Sequence, residues 1–167
     1  MTLVNSNFFK SINNHYIISG YASKFNILDK QKEIVRENAF IFNEVSQIKL
    51  LWQHDYSKPI GFIENLSQDH IGLFINARII LDTQIGKETI ALVSKNVVNG
   101  LSVGFEIIDQ KFDNLGQKNI LKANLLEISI VTFPANAEAI ITSIDDYSSF
   151  SLNHSLSNLG KMLENFS

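Results

Sequence analysis

Residues 100–107, GLSVGFEI, carry the pattern on which our prediction of the fold depends. From Leu101 the apolar residues fall on alternate positions, and Ser102, Gly104 and Glu106 occupy the positions between them. Side chains alternate across a β-strand, so this segment predicts a strand with its apolar face toward the core. Ser102 then lies on the other face, where Gly104 leaves room for a ligand. The competing interpretation is a surface serine in a tight turn, where serine and glycine are both common.

The sequence on either side of this strand predicts a helix before it and a hairpin after it. Between residues 82 and 99 the apolar residues are spaced three and four apart, which is typical of an amphipathic helix. Residues 112–118 contain an asparagine and a glycine with turn preference, and an apolar run follows them. We therefore expect a hairpin that brings the strand carrying Glu127 beside the strand carrying Ser102.

The remaining segments complete a mainly β prediction with several helices, of the α+β class. We expect a barrel-like antiparallel sheet surrounded by helices. Residues 135–144 predict a short helix, and leucines at helical spacing predict a C-terminal amphipathic helix after a polar linker. We expect residues 1–144 to form one domain and residues 145–167 to form the linker and helix. Further strands are predicted at residues 15–23, 48–55, 59–66 and 71–79.

Composition describes a globular chain and argues against several classes of protein. Hydrophobic residues make up 45% and charged residues 19% of the 167 residues, and there is no cysteine. Disulfides, thiolate metal sites and cysteine nucleophiles are therefore excluded. The net charge of −3, without a basic cluster, argues against a nucleic-acid partner. The sequence shows neither a secretory signal pattern nor a membrane-spanning run, and it predicts a cytosolic protein without a membrane partner.

Three residues together have the chemistry of a serine hydrolase. A serine hydroxyl is a weak nucleophile near neutral pH and needs a base, which in turn benefits from a third group that orients it. Ser102 is the candidate nucleophile, His54 the candidate base, and Glu127 the candidate carboxylate that orients His54. Asp55 is the rival for the third role, although adjacent residues on a strand point to opposite faces. Backbone N–H groups near Ser102, or in a facing loop, are candidate oxyanion donors.

Each candidate also has a purely structural interpretation. A histidine after a buried strand is more often a hydrogen-bonded structural residue than a catalyst, and His54 follows such a strand. Glu127 in apolar company is expected to be solvent-exposed unless it has a partner. A metal-dependent phosphohydrolase is a further alternative for His54-Asp55. The other three histidines lack the acidic motifs that such a site requires.

Five blocks of sequence, taken in order, resemble the prohead maturation proteases of tailed bacteriophages. These serine proteases share a fold with the herpesvirus assemblins. The likeness extends from about Ile18 to about Ala139. It departs from the family at Asn38-Ala39-Phe40, where a glycine is lost from a loop. The blocks are GYA at 20–22, LWQHD at 51–55, PIG at 59–61, GLSVGF at 100–105 and EISIVTFPAN at 127–136.

The resemblance implies an assemblin-like fold and a serine endopeptidase that matures a phage or prophage procapsid inside the bacterial cytoplasm. Its implied triad is Ser102, His54 and Glu127, with no cofactor and no metal. The implied substrates are the scaffold or delta segment of the major capsid protein and the chain itself. Residues 145–167 are then a candidate processed tail, and a homodimer or higher homo-oligomer is expected. The alternative is a catalytically inactive, prophage-derived capsid-assembly or scaffold protein with the same fold.

Overall fold

The computed structural model describes residues 15–147, which form one nine-stranded sheet with a single α-helix in that range. A 3₁₀ turn at Val45–Gln47 precedes the fourth strand, and helix α1 spans Gln84–Val93. The strands are β1 His15–Lys24, β2 Glu33–Val35, β3 Phe40–Ile41, β4 Lys49–Trp52, β5 Asp55–Gln68, β6 Gly72–Ile80, β7 Gly100–Phe112, β8 Lys118–Val131 and β9 Ile141–Asp146. No helix in this range is long and apolar enough to cross a membrane.

Strand β8 organises the part of the sheet that carries the candidate site. Along one edge it pairs antiparallel with β7, through the hairpin that the sequence predicts. Along its other edge it pairs in succession with the short parallel strands β2, β3 and β4. From β4 the sheet continues through the antiparallel strands β5, β6, β1 and β9. β8 therefore links the strand of Ser102 to the strand that leads into His54.

The core lies on the face defined by alternate residues of the long strands. In β6 the side chains of Leu73, Ile75, Ala77 and Ile79 are fully buried, as their alternation predicts. β5 and β6 form an antiparallel hairpin, in which the strands predicted at residues 59–66 and 71–79 pair with each other. Ile71, which begins the same sequence pattern, is exposed because β6 starts one residue later.

Helix α1 packs against β5 and β6 and is shorter than the sequence predicts. Thr83 caps its N-terminus by accepting a hydrogen bond from the Gly86 N–H at 3.1 Å. The helix ends at Val93, and an irregular segment precedes β7, so Val97 is exposed instead of lying on an apolar helix face. The helix therefore does not lead directly into the strand of Ser102.

Three parts of the predicted architecture need correction within residues 15–147. The sheet is open and not barrel-like: Ile140, the residue before β9, meets the start of β7 at one isolated bridge to Gly100, and β9 itself pairs with β1. The expectation of several helices is also wrong, because residues 15–147 contain a single α-helix, α1. Where a short helix was expected at residues 135–144, residues 135–140 are an irregular loop and β9 begins at Ile141; β9 ends at Asp146, inside the expected polar linker. The predicted C-terminal helix lies outside the described residues.

Candidate active site

Ser102 and Glu127 lie on the same face of the β7–β8 hairpin. Ser102 pairs in register with Ser129, and Gly104 pairs with Glu127. Directly opposite residues in an antiparallel pair project to the same side of the sheet, so all four positions share one face. Ser102 is 8% exposed and Glu127 only 2% exposed. The hairpin thus brings together the predicted nucleophile and the predicted carboxylate, and it buries the latter.

His54 lies in a two-residue turn between β4 and β5. Gln53 and His54 both have positive φ, 56° and 58°, as a primed hairpin turn requires. The strand predicted at residues 48–55 therefore ends at Trp52, and His54 follows it in the turn. Neither residue is a glycine or an asparagine, and the left-handed conformation costs a residue with a side chain on the order of 1 kcal/mol. Contacts elsewhere in the molecule must stabilise the turn.

Those contacts come from β8 and from the residue after it. The Gln53 N–H donates to the Ile130 carbonyl at 3.0 Å, and the His54 N–H donates to Ser129 Oγ at 3.1 Å. The Gln53 side chain donates to Thr132 Oγ1 at 2.8 Å and accepts from the Thr132 N–H at 3.3 Å. Four hydrogen bonds therefore hold the turn against the strand that carries Glu127.

The imidazole of His54 is bonded to the buried carboxylate of Glu127. His54 Nδ1 lies 2.6 Å from Glu127 Oε1, and Ser129 Oγ donates to Glu127 Oε2, also at 2.6 Å. Because an ionised carboxylate only accepts, Nδ1 carries the proton and the neutral ring presents an unprotonated Nε2. The hydrogen bond to Glu127 raises the pKa of His54, and partial burial opposes this effect. The His54 side chain is 44% exposed, so its other edge is accessible.

Ser102 and His54 line one cavity of about 270 Å³. Its walls include the apolar side chains Ile27, Val103 and Phe105. Among the described residues no hydrogen bond joins Ser102 to His54. Such bonds are often long in free enzymes and shorten when substrate binds. The arrangement places a hydroxyl and an oriented imidazole on the wall of a space large enough for a peptide side chain.

Two loops lie on one side of this cavity, the first at residues 25–32 between β1 and β2 and the second at residues 132–140 between β8 and β9. The Lys30 N–H donates to the Ala135 carbonyl at 3.1 Å, and Lys30 Nζ donates to the Pro134 carbonyl at 3.0 Å. From the second loop, Asn136 Nδ2 donates to the Lys24 carbonyl at 2.8 Å. Ala135 and Asn136 line the same cavity as Ser102, so these bonds hold part of its wall in place.

Asp55, the rival for the third role, is occupied elsewhere. Its carboxylate accepts from the Ser57 N–H and hydroxyl and pairs with Lys58 Nζ at 2.9 Å. Hydrogen bonds from Ser57, followed by that from Lys58, lower the pKa of Asp55 to about 2. The carboxylate that contacts the His54 ring is that of Glu127, so the geometry favours Glu127 for this role.

The other histidines lie apart from this cluster. His15 is buried and stacks on Tyr147, with ring centroids 5.3 Å apart. His70 is exposed in the turn between β5 and β6, and His154 lies outside the described residues. Within residues 15–147 no group of three or more His, Asp or Glu side chains is placed to hold a metal ion.

Sequence reasoning missed the part that Ser129 plays in this cluster. Ser129 is fully buried and contacts both the Glu127 carboxylate and the His54 backbone. The available signal was its spacing: a residue two positions after Glu127 on a strand shares its face. A serine within an otherwise apolar strand end also requires a polar partner, and Glu127 was the nearest one.

Comparison with known proteins finds phage proteases both by sequence and by structure. The chain is 29% identical to the prohead protease of Enterobacteria phage HK97 over 134 residues, which is 77% of this chain and 60% of that protein. It thus spans about 60% of the length of that relative. The bacteriophage T4 capsid assembly protease has the same fold, with a TM-score of 0.58, 15% identity, and coverage of 69% of this chain and 80% of that one.

A herpesvirus protease is a more distant structural match. The KSHV protease aligns with a TM-score of 0.49 and 10% identity, over 78% of this chain and 65% of that chain. The family model of the caudovirus prohead serine proteases matches residues 5–153. That range includes nearly the whole chain and all three candidate site residues. The chain therefore belongs to the caudovirus prohead serine protease family.

Proposed function

We propose that this chain is a serine endopeptidase of phage procapsid maturation that uses Ser102, His54 and Glu127 as its catalytic residues. The observation that carries the proposal is the 2.6 Å bond from His54 Nδ1 to Glu127 Oε1, with His54 and Ser102 on the wall of one cavity. Membership in the prohead protease family supports the same reaction. The reaction is hydrolysis of a peptide bond, and no cofactor is needed for it.

In this mechanism His54 moves protons between Ser102 and the substrate. Ser102 Oγ attacks the scissile carbonyl carbon while its proton passes to His54 Nε2. The same proton then passes to the leaving amine, the C–N bond breaks, and an acyl ester remains on Ser102. A water molecule, deprotonated by Nε2, attacks that ester, and the proton then passes from Nε2 to Ser102 Oγ as the C–O bond of the ester breaks. Glu127 accepts from Nδ1 throughout and stabilises the imidazolium that forms in each half of the reaction.

The outer edge of β7 offers a donor for the oxyanion. The Leu101 N–H already points to that edge, where it donates to the Ala139 carbonyl at 2.8 Å. Backbone groups alternate along a strand, so the Val103 N–H points the same way, and no described strand pairs with that edge beyond Gly100. We assign the Val103 N–H as one donor to the tetrahedral intermediate, where such donors contribute much of the catalysis.

The family suggests the substrates and the place of action. We propose cleavage of the scaffold or delta segment of the major capsid protein, and cleavage of the chain itself within residues 145–167. The reaction would take place inside the assembling procapsid in the bacterial cytoplasm, with a homodimer or higher homo-oligomer as the working form. Confinement within a shell raises the local concentration of enzyme and substrate, so modest affinity for the cleaved segment suffices.

The test is intact-mass analysis over time of the wild-type chain, Ser102→Ala and the matched control Ser67→Ala. Each protein is incubated alone and co-assembled with the capsid protein encoded beside it. Ser67 is exposed on β5 and does not line the cavity. We expect the wild type and the control to release defined fragments, and Ser102→Ala to release none.

Two results would overturn the proposal. Cleavage that persists in Ser102→Ala would mean that another group is the nucleophile. If neither the wild type nor the control cuts anything in assembled shells while all three proteins fold alike, the inactive capsid-assembly protein becomes the better account.

A further inference from the structure

Ser129 touches both halves of the His54–Glu127 pair. Its hydroxyl oxygen lies 2.6 Å from Glu127 Oε2 and 3.1 Å from the backbone nitrogen of His54. The residue is fully buried on β8, directly opposite Ser102 in the β7–β8 ladder. It has no accessible surface through which to contact substrate, so any effect it has on the reaction must pass through its two partners.

The chemistry of the groups fixes the direction of both bonds. A backbone N–H can only donate, so Ser129 Oγ accepts from His54. An ionised carboxylate can only accept, so the Ser129 hydroxyl proton points to Glu127 Oε2. The single proton and one lone pair of the hydroxyl are thus both used. Glu127 is held at each oxygen, by Ser129 at one and by the His54 ring at the other.

The two hydrogen bonds of Ser129 connect the His54 turn to the Glu127 carboxylate. His54 belongs to a turn with positive φ at two non-glycine residues, and the N–H of His54 donates to Ser129. The ring of His54 is tied to Glu127, which Ser129 also holds. His54, Ser129 and Glu127 therefore form a closed set of three hydrogen bonds that fixes the backbone and the ring of the histidine together.

We propose that Ser129 is a positioning residue that locks the His54 turn and the Glu127 carboxylate into one relative orientation. The proposal deepens the proteolytic function proposed above and rests on it for its effect on rate. Removal of the hydroxyl leaves Glu127 Oε2 without its donor and the His54 N–H without its acceptor. The carboxylate is then free to rotate, and its bond to Nδ1 weakens.

The first test measures the histidine directly and needs no turnover. The imidazole of His54 is titrated by NMR in a Ser102→Ala background, with and without Ser129→Ala. Because Glu127 raises the pKa of His54 through their hydrogen bond, loss of Ser129 should lower that pKa toward the usual range. Ser129→Thr retains the hydroxyl and should keep the pKa raised. Thermal unfolding of each variant checks that the fold is retained.

The second test measures the rate in proteins with an intact Ser102. We expect Ser129→Ala to lower kcat/KM by about 10- to 100-fold, mostly through kcat, and to move the acid limb of the pH profile to lower pH. Thr89→Val is the control, because Thr89 is also buried, its hydroxyl has no hydrogen-bond partner, and it lies on α1. This control should leave both the rate and the profile unchanged.

The two readouts separate the two proposals. A His54 pKa that is unchanged by Ser129→Ala overturns the positioning role, whatever the activity. A lowered pKa in a chain that cleaves nothing supports the positioning role and counts against the proteolytic function. A normal rate and pH profile in Ser129→Ala, in a wild type that does cleave, also overturns the positioning role.

Discussion

The carboxylate of Glu127 occupies the space that a side chain at position 104 would fill. A Cβ added to Gly104 would overlap Glu127 Oε1 and would lie 2.9 Å from both Cγ and Cδ of the glutamate. The two residues are opposite one another in the β7–β8 ladder, so the Glu127 side chain would have to shift away from its bond to His54 to make room for that Cβ. Gly104 is therefore required at this position for the placement of Glu127 beside His54.

We predict that Gly104→Ala lowers kcat/KM by about 100-fold, because a displacement of roughly 1 Å in a catalytic group has an effect of that order. Gly116→Ala is the matched control. Gly116 has φ of 72° with open space around it, so alanine there should reduce stability by about 1 kcal/mol without touching the site. Steady-state kinetics and thermal unfolding are measured on both variants. Full activity in Gly104→Ala would show that Glu127 does not need this space.

At the residue scale, the candidate residues could be named from the sequence, but their contacts could not. Alternation predicts the face of Ser102 correctly. The adjacency argument against Asp55 assumed a strand at His54, whereas His54 lies in a turn, so Asp55 is disfavoured here by its own bonds to Ser57 and Lys58 instead. Burial of Glu127 could not be predicted, since a carboxylate among apolar residues is buried only if it finds partners elsewhere in the fold. His54 is brought to Glu127 by the parallel pairing of β4 with β8, which leaves no local signal, whereas the spacing of Ser129 on β8 was such a signal.

At the scale of elements, the start of β7 is held by the segment that leads into β9. The Leu101 N–H donates to the Ala139 carbonyl at 2.8 Å, and the Ile141 N–H donates to the Asn99 carbonyl at 2.9 Å. These bonds flank Gly100, two positions before Ser102. The segment is in turn held against β1, where Gly20 allows the Ile140 carbonyl to approach the backbone closely.

We predict that Gly20→Ala destabilises the protein by about 1–3 kcal/mol and lowers the rate as well. A Cβ at position 20 would collide with the Ile140 carbonyl, which cannot move without the bonds around Gly100. Ser19→Ala, on the neighbouring residue of β1, is the control and should change neither quantity. Urea unfolding and the rate of substrate cleavage measure the two effects. If Gly20→Ala unfolds at the same urea concentration as the wild type, the hydrogen bonds around Gly100 do not depend on the close approach of Gly20 to the Ile140 carbonyl.

Elements were predictable where a strand is long and its turn residues are typical. The β5–β6 and β7–β8 hairpins meet both conditions. The Gln53-His54 turn does not, because primed turns are normally signalled by asparagine or glycine and this one is stabilised by β8. β9 was mistaken for a helix because its six residues are too short to show either periodicity clearly.

At the scale of the whole molecule, stability should depend on pH in two separate ranges. Hydrogen bonds lower the pKa values of Asp55, Asp69 and Asp113. Their stabilising contributions are therefore present above the unfolded pKa near 4 and are lost as the pH falls through the folded values. His54 behaves in the opposite way, since Glu127 raises its pKa. Its contribution is present below about pH 6.5 and is lost as the pH rises through the folded value.

We predict that His54→Gln, made in a Ser102→Ala background, costs more stability at about pH 5.5 than at about pH 9. The difference should be small, because the His54 side chain is 44% exposed and solvent screens its charge. Repeating the comparison with Glu127→Gln also present should remove the pH dependence. Denaturant unfolding gives the free energies. An equal cost of His54→Gln at both pH values would mean that the pair does not form in solution.

The class of the fold could be predicted from the sequence, whereas the closure of the sheet could not. Apolar and polar residues alternate in many segments, which predicts a mainly β chain, and this prediction is confirmed. Whether the ends of such a sheet join depends on a few backbone contacts, here a single bridge between Gly100 and Ile140, which leave no pattern in the residues. The family followed from five ordered blocks, none of which is specific alone.

The central claim is that His54 activates Ser102, and labelling with a serine-directed fluorophosphonate tests it most directly. The reagent is incubated with the wild type, His54→Ala and His70→Ala, and the modified residue is located by peptide mass mapping. The account predicts labelling of the wild type and His70→Ala at Ser102 alone, and a loss of labelling in His54→Ala. Labelling of a different serine, or equal labelling of Ser102 without His54, would contradict it.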